Sequence, residues 1–316
     1  MKKVLVTGAA VFLGSYLVEH HLNIGDEVAG VDNFISSNRC SKHHYVLRLD
    51  KRYSFYEVDI CSQKFVDLFR YSNFDIIYNF ACPASPPRYQ QIPIETLLTC
   101  VIGTKNTLDI AKDNTVFIQA STSEVYGDPE VSPQRENYYG YVNSYGLRSC
   151  YDEGKRAAEA LCFDYLNKLK IDARVVRIFN TYGPRMDPDD GRVMTNLVGQ
   201  ALKGLPLTIY GDGSQTRSFC YVTDLIRGIT EMAFLTTNPG TPINIGNPDE
   251  FTIFELAKKI SHRLGGEIYY KELPSDDPRQ RRPDISLAKK FLNWEPKINL
   301  DKGLDRMIEY MREVQC

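Results

Sequence analysis

The chain has 316 residues, 43% of them hydrophobic, enough to bury one large core or a core with a smaller lobe. Its 38 basic and 40 acidic residues leave a formal net charge of -2. That balance gives no electrostatic footprint for nucleic acid or an anionic membrane, so any bound anion must be held by local groups. The amino terminus MKKVLVTG offers too short an apolar run for a signal segment or a spanning helix, and a soluble, cytoplasmic protein is expected. The 8 cysteines form no C-x-x-C pair and have no accompanying histidine spacing, which predicts buried free thiols and neither disulfides nor a metal.

In chain order, KVLV, DEVAGVD, FYEVD, FDIIYNFA and VFIQAS read as short buried strands. Between several of them lie helical stretches, SYLVEHHLNIG, QKFVDLFRYS and PIETLLTCVIGTKNTLDIAK. Strand-helix alternation implies a parallel sheet covered by helices on both faces, a doubly wound α/β fold. A long helix is predicted over about 144–170, then the strand ARVVRIFN. After Asn180 Gly and Pro become frequent, as in YGPRMDPDDGR, KGLPLTIYGDGSQTR and NPGTPINIGNPDE. The expectation is a nucleotide-binding domain over 1–178 and a smaller substrate-binding lobe over 179–316, with a soft boundary and a strand that could return to the large sheet.

TGAAVFLG, residues 7–14, joins the first strand to the first helix. Gly8 and Gly14 flank the turn, and the helix after it presents backbone N–H groups to a pyrophosphate. Val11 stands where the usual pattern has a third glycine, and its branched side chain is expected to weaken, not abolish, dinucleotide binding by about 1–3 kcal/mol, the scale of local strain. Asp32 closes the second strand 18 positions after Gly14, near the spacing at which an acid meets the ribose hydroxyls, which favours NAD over NADP.

Tyr151 and Lys155 stand four apart in SCYDEGKRAAEA and share one helix face. Among the 20 tyrosines no other has a lysine four residues later. An ammonium beside a phenol favours phenolate and is expected to lower the tyrosine pKa. STSEVYG follows the VFIQA strand, which places Thr122 and Glu124 at its carboxyl end, where doubly wound sheets bind ligands.

With ACPASPPRYQ, STSEVYGDP, RSCYDEGKR, RIFNTYGPRMDPDDGRV, YGDGSQTRSF and DDPRQRRPDI, the chain resembles the extended short-chain dehydrogenases/reductases that act on nucleotide sugars. Among them it looks most like the UDP-glucuronate decarboxylases, over about residues 4–312. The resemblance implies a Rossmann fold, a homodimer contact through the helices at about 93–112 and 144–168, and recycled NAD. It also implies a reaction: Tyr151, helped by Thr122 and Lys155, oxidises carbon 4 of UDP-glucuronate, carbon dioxide leaves, and re-reduction yields UDP-xylose. Glu124 and Arg281 would flank the carboxylate-bearing carbon. The implied NAD contacts are Gly8, Val11, Phe12, Leu13, Gly14, Asp32, Asn33, Asp59, Ile60 and Ala81, with Tyr151 and Lys155 at the nicotinamide. Tyr89, Asn180, Arg185, Arg192, Tyr210, Arg217 and Arg281 would hold the UDP-sugar, its phosphates gripped by guanidinium forks without a metal.

The related 4,6-dehydratases carry Thr-Asp-Glu where this chain has Thr122-Ser123-Glu124. Expelling water needs an acid that Ser123 does not supply, whereas decarboxylation needs none. A dehydratase, and a non-catalytic UDP-sugar-binding relative with an impaired NAD loop, are the alternatives. Val11, Ile35-Ser36-Ser37, Cys100 and Ser144-Tyr145 depart from the family pattern.

Overall fold

A computed structural model describes residues 1–36, 47–272 and 280–315. Ser37 and residues 276–279 of the DDPRQRRPDI stretch lie outside the described residues. Seven strands form the central sheet: β1 (Lys3–Thr7), β2 (Glu27–Asp32), β3 (Tyr53–Glu57), β4 (Ile76–Asn79), β5 (Val116–Thr122), β6 (Asp172–Ile178) and β7 (Ile243–Ile245). Their spatial order is β3-β2-β1-β4-β5-β6-β7, and every neighbouring pair is parallel.

The apolar runs lack polar alternation because both sheet faces are covered. Val4 and Val6 of β1 enter one core with Leu17, Val18, Leu225 and Ile229, whereas Leu5 between them enters the other with Phe65, Phe69 and Cys162. Successive side chains of a strand point to opposite faces, so one run feeds two cores. The helices Phe12–Asn23 and Val222–Phe234 therefore cover one face, and Gln63–Phe69 and Ser149–Leu169 the other.

The long helix begins at Ser149, not near 144. Local hydrogen bonding holds the preceding residues in a turn: Tyr145 N donates to Asn143 Oδ1 at 3.1 Å, and Ser149 donates to the Gly146 carbonyl from its N at 3.1 Å and its Oγ at 2.7 Å. The PIETLL segment forms a helix over Pro93–Leu98, passes through a π-helical turn at Thr99–Gly103, and resumes over Thr104–Asp109.

The residues after 178 build small sheets around the carboxyl edge of the large one. Thr216–Ser218 lies between Glu250–Thr252, antiparallel, and Gln280–Arg281, parallel, with Arg281 in register with Arg217. Leu207–Tyr210 pairs with Ile268–Lys271. β7 comes from this same half of the sequence, so the large sheet is completed by a strand from beyond its own continuous segment. Among the described residues no helix is long and apolar enough to cross a membrane.

Candidate active site

The strand order reverses between β1 and β4, and that switch point opens the crevice in which such sheets bind ligands. Thr7 Oγ1 fixes its floor, accepting from Phe80 N at 3.0 Å and Ala81 N at 3.1 Å while donating to Asn79 Oδ1 at 2.9 Å. Gly8 turns the chain with φ +71°, and a Cβ on it would lie 2.8 Å from the Phe80 carbonyl oxygen. A Cβ on Gly14 would lie 1.9 Å from the Gly8 carbonyl oxygen, so the helix can rest on the turn only without a side chain there. Val11 is the N-cap at φ −100°, ψ 176°, extended backbone open to any residue. Its backbone is therefore unstrained, and any cost to dinucleotide binding must come from the reach of its side chain. No side chain caps this helix, whose first residues face the cleft.

Asp32 is engaged at both oxygens, accepting from Ala10 N at 3.1 Å and Phe34 N at 2.8 Å. Asn33 donates to Asp59 at 3.1 Å, and Asp59 also accepts from Cys61 N at 2.7 Å. The Ile60 side chain packs on Gly103. Val11, Phe12, Leu13 and Gly14 line the cleft; Gly8, Asp32, Asn33, Asp59, Ile60 and Ala81 are not among its lining residues.

Thr122, Glu124, Tyr151, Lys155 and Arg281 meet in this one cleft of about 1450 Å³. Tyr151 is buried and stacks on Tyr89, centroids 5.0 Å apart. Burial, then the neighbouring Cys82, pushes the Tyr151 phenol well above its ordinary range, with a hydrogen bond to Thr122 acting the other way. The spacing argument predicted the reverse. Lys155 does not lower this phenol because its Nζ donates to the Ala120 carbonyl at 2.9 Å and lies 5.7 Å from the Tyr151 ring centroid.

Glu124 follows β5 in a 3-10 turn, where its N donates to Thr122 Oγ1 at 3.2 Å. Arg281 Nη2 reaches the carboxylate at 2.8 Å, and Arg148 Nη2 meets the same oxygen. Burial alone would raise this carboxyl; the charges of Arg281 and Arg148 outweigh it and hold it at about 2. Arg281 also donates to the Gly127 carbonyl. Beside them the Asp152 carboxyl is pushed up to about 7, first by burial and then by the Glu124 charge. One of its oxygens is buried without a hydrogen-bond partner.

Sequence reasoning missed Arg148 and Asp152. The signal was present, since Arg148 stands three residues before Tyr151 and four before Asp152, spacings that share a helix face.

Tyr89, Asn180, Arg185, Arg192, Tyr210 and Arg217 also line the cleft. Arg185 lies over the Tyr16 ring at 3.8 Å and pairs with Glu19 at 2.7 Å, bridging to the first helix. Arg192 pairs with Asp190, and Arg217 Nη1 donates to the Thr216 carbonyl at 2.8 Å. Among the described residues no group of His, Cys, Asp or Glu is placed to hold a metal ion.

The family model described as GDP-mannose 4,6 dehydratase matches residues 5–307. UDP-glucuronic acid decarboxylase 6 of Arabidopsis thaliana is 47% identical over 314 residues, covering 98% of this chain and 89% of the relative. UDP-glucuronic acid decarboxylase 1 of Xenopus tropicalis is 44% identical over 315 residues, 99% of this chain and 72% of the relative. Among solved structures, the UDP-glucuronic acid 4-epimerase of Bacillus cereus in complex with UDP-glucuronic acid and NAD superposes with a TM-score of 0.88 at 29% identity, over 99% of each chain. The chain belongs to the GDP-mannose 4,6 dehydratase family of extended short-chain dehydrogenases/reductases and, within it, to the UDP-glucuronic acid decarboxylases.

Proposed function

We propose that the chain decarboxylates UDP-glucuronate to UDP-xylose with recycled NAD. One observation carries this reading: Tyr151 hydrogen-bonded to Thr122, with Lys155 one turn further along the same helix, beside a Glu124 carboxylate clasped by Arg148 and Arg281, and with a hydroxyl, Ser123, where a dehydratase needs an acid. The cleft exceeds the roughly 300–1,000 Å³ of a pocket for one small ligand and has room for cofactor and substrate together.

The residues present fit NAD. The Gly8-Gly14 contact brings the helix backbone down onto the turn, and the uncapped N-terminus offers its N–H groups to a pyrophosphate. Residues 1–178 are assigned to NAD and 179–316 to the UDP-sugar, with β7 shared between them. The remaining assignments are Asp32 and Asn33 near the adenosine ribose, Asp59 and Ile60 near adenine, and Ala81 along the cofactor.

NAD, held by these residues, would supply the hydride acceptor and donor at carbon 4. Burial keeps the Tyr151 phenol protonated, so it must first give its proton to solvent; Tyr151 Oη then removes the 4-hydroxyl proton, with Thr122 bonded to the phenol and Lys155 on the same helix face. The new ketone lies beta to the carboxylate, so the carbon–carbon bond to carbon dioxide breaks with its electron pair passing to the ketone oxygen. Tyr151, now protonated, donates to that oxyanion. Carbon 5 then takes a proton from solvent, and Tyr151 Oη gives its proton back to oxygen 4 as the ketone is reduced. Glu124 stays ionised through the neutral range and cannot be the acid. Its role is to hold Arg281 and Arg148, whose two positive charges against one carboxylate favour an incoming uronate. Tyr89, Asn180, Arg185, Arg192, Tyr210 and Arg217 are assigned to the UDP-sugar.

A homodimer is supported by Ile94, Leu97, Leu98, Ile102 and Phe163, exposed apolar side chains on the adjoining 93–103 and 149–169 segments. Free thiols at all six described cysteines suit the cytoplasm. Incubation with UDP-glucuronate and NAD, followed by mass analysis, tests the reading. Loss of carbon dioxide with formation of UDP-pentose is expected; intact substrate at saturating NAD overturns it.

A further inference from the structure

The cleft wall carries two thiols that the decarboxylation does not use. Cys82 follows β4 and lines the cleft, and Cys100 is buried in the π-helical turn behind it. Their Sγ atoms are 3.3 Å apart and joined by a hydrogen bond. A disulfide is about 2.05 Å long, so closure requires the sulfurs to approach by about 1.3 Å.

The two sulfurs are chemically unequal. The hydrogen bond from Cys100 holds the Cys82 thiol below its ordinary range despite burial, with the Lys155 charge adding to it. The same bond, with burial, pushes Cys100 up. A cleft-facing thiol with thiolate character beside a protonated one is the arrangement of an attacking and a resolving cysteine. Cys100 also touches the helix that bears the proton relay. Gly154 lies between Tyr151 and Lys155, and a Cβ there would sit 2.9 Å from Cys100 Cβ and 3.2 Å from its Sγ. Cys100 thus packs on the backbone of that helix, at the point where the absence of a side chain on residue 154 leaves room for its sulfur.

We propose that Cys82 and Cys100 are a modification site: a dithiol that oxidises reversibly to a disulfide and, through Gly154, moves Tyr151 and Lys155 out of register with substrate and cofactor. With hydrogen peroxide as oxidant, the Cys82 thiolate attacks one oxygen, the O–O bond breaks, and hydroxide leaves and is protonated to water. Cys100 sulfur attacks the resulting sulfenic acid, the S–S bond forms, the S–O bond breaks, and a second water leaves. Two thiols lose two electrons and one peroxide becomes two waters. A dithiol reductant reverses the bond by exchange. Misplacing reacting groups by about 1 Å costs on the order of a hundredfold in rate, so a fall of at least about tenfold is expected. Loss of the Cys82 negative charge would act on Tyr151 in the opposite sense by easing its ionisation, so the sign of the effect is itself a test.

The effect on turnover rests on the decarboxylase reading; the disulfide does not. The full chain is treated with hydrogen peroxide, alkylated, digested without reductant and mapped by mass spectrometry. Turnover and NAD affinity are measured before oxidation, after it, and after dithiothreitol. The expected result is a Cys82–Cys100 cross-linked peptide, a fall in both turnover and NAD affinity, and recovery on reduction. Cys100→Ser should match the reduced wild type and show neither cross-link nor recoverable loss, and the wild-type cross-link decides the matter if that variant does not fold. Folded protein without the cross-link, or a cross-link with unchanged or raised NAD affinity or turnover, overturns the proposal. Reduced protein that binds NAD but never decarboxylates defeats the functional reading instead, and the cross-link with NAD affinity still decides this one.

Discussion

Tyr89 lies flat on Tyr151, with ring planes within 1° and centroids 5.0 Å apart. The stack fixes the plane of the phenol while leaving its hydroxyl beside Thr122. Tyr151→Phe keeps the stack and removes only the proton carrier. Turnover should fall by about a thousandfold with UDP affinity unchanged. Steady-state rates and UDP calorimetry check this, and surviving turnover would reject Tyr151 as the base. Tyr89→Phe should keep most of the rate, whereas Tyr89→Leu should lose about tenfold as the stack disappears.

Glu124 depends on two guanidinia at once. Arg148→Ala leaves a largely buried carboxylate with one partner, and a loss of about 3 kcal/mol of stability is expected in urea denaturation. Arg281→Ala should permit oxidation at carbon 4 yet slow the later steps, so the 4-keto species accumulates in quenched samples. An unchanged rate of UDP-xylose formation would reject the Arg281 role.

The acidic pair predicts opposite slopes of stability with pH. Asp152 has a folded pKa of about 7 against 3.8 unfolded, so the folded state binds the extra proton and stability falls as pH rises from about 4 to about 7. Asp152→Asn should remove that part of the slope, read as the variant-minus-wild-type difference in denaturation between pH 5 and pH 8. Glu124 runs the other way: its contribution is complete above about 4.5 and is lost as pH falls toward about 2.

In the nucleotide turn, the two residues at issue behave differently. Val11 has ordinary extended backbone, so Val11→Gly should tighten NAD by no more than about tenfold, or about 1.4 kcal/mol. Gly14→Ala drives a methyl into the Gly8 carbonyl, and about 1–3 kcal/mol of stability should be lost together with NAD affinity. Calorimetric titration of both variants checks the contrast; weaker binding by Val11→Gly would remove side-chain reach as the explanation.

The sheet was legible because buried parallel strands are nearly all apolar, and β1, β4, β5 and β6 announce themselves as such runs, whereas β3 stands at the sheet edge with Ser54 and Glu57 exposed. β7 was harder to read, since INI is three residues long and sits among Gly and Pro. The spacing extends the long helix too far back because Ser144 to Arg148 carry no helix-breaking proline, and the turn there is held by local bonds of Asn143 and Ser149 that leave no period in a sequence. Tyr151 and Lys155 were found from their spacing, but the spacing could not show that the Ala120 carbonyl competes for the ammonium. Arg148 was overlooked because its partner, Glu124, lies on another element, and contacts between elements leave no period in a sequence.

β7 has a consequence for dissecting the molecule. A fragment ending at 178 would strip β6 of its outer neighbour and bare a row of unpaired backbone N–H and C=O groups along an apolar strand, a template for aggregation. Such a piece should precipitate when expressed alone and dissolve when its missing half is supplied in trans, so the cofactor half and the sugar half cannot be exchanged between relatives as separable modules.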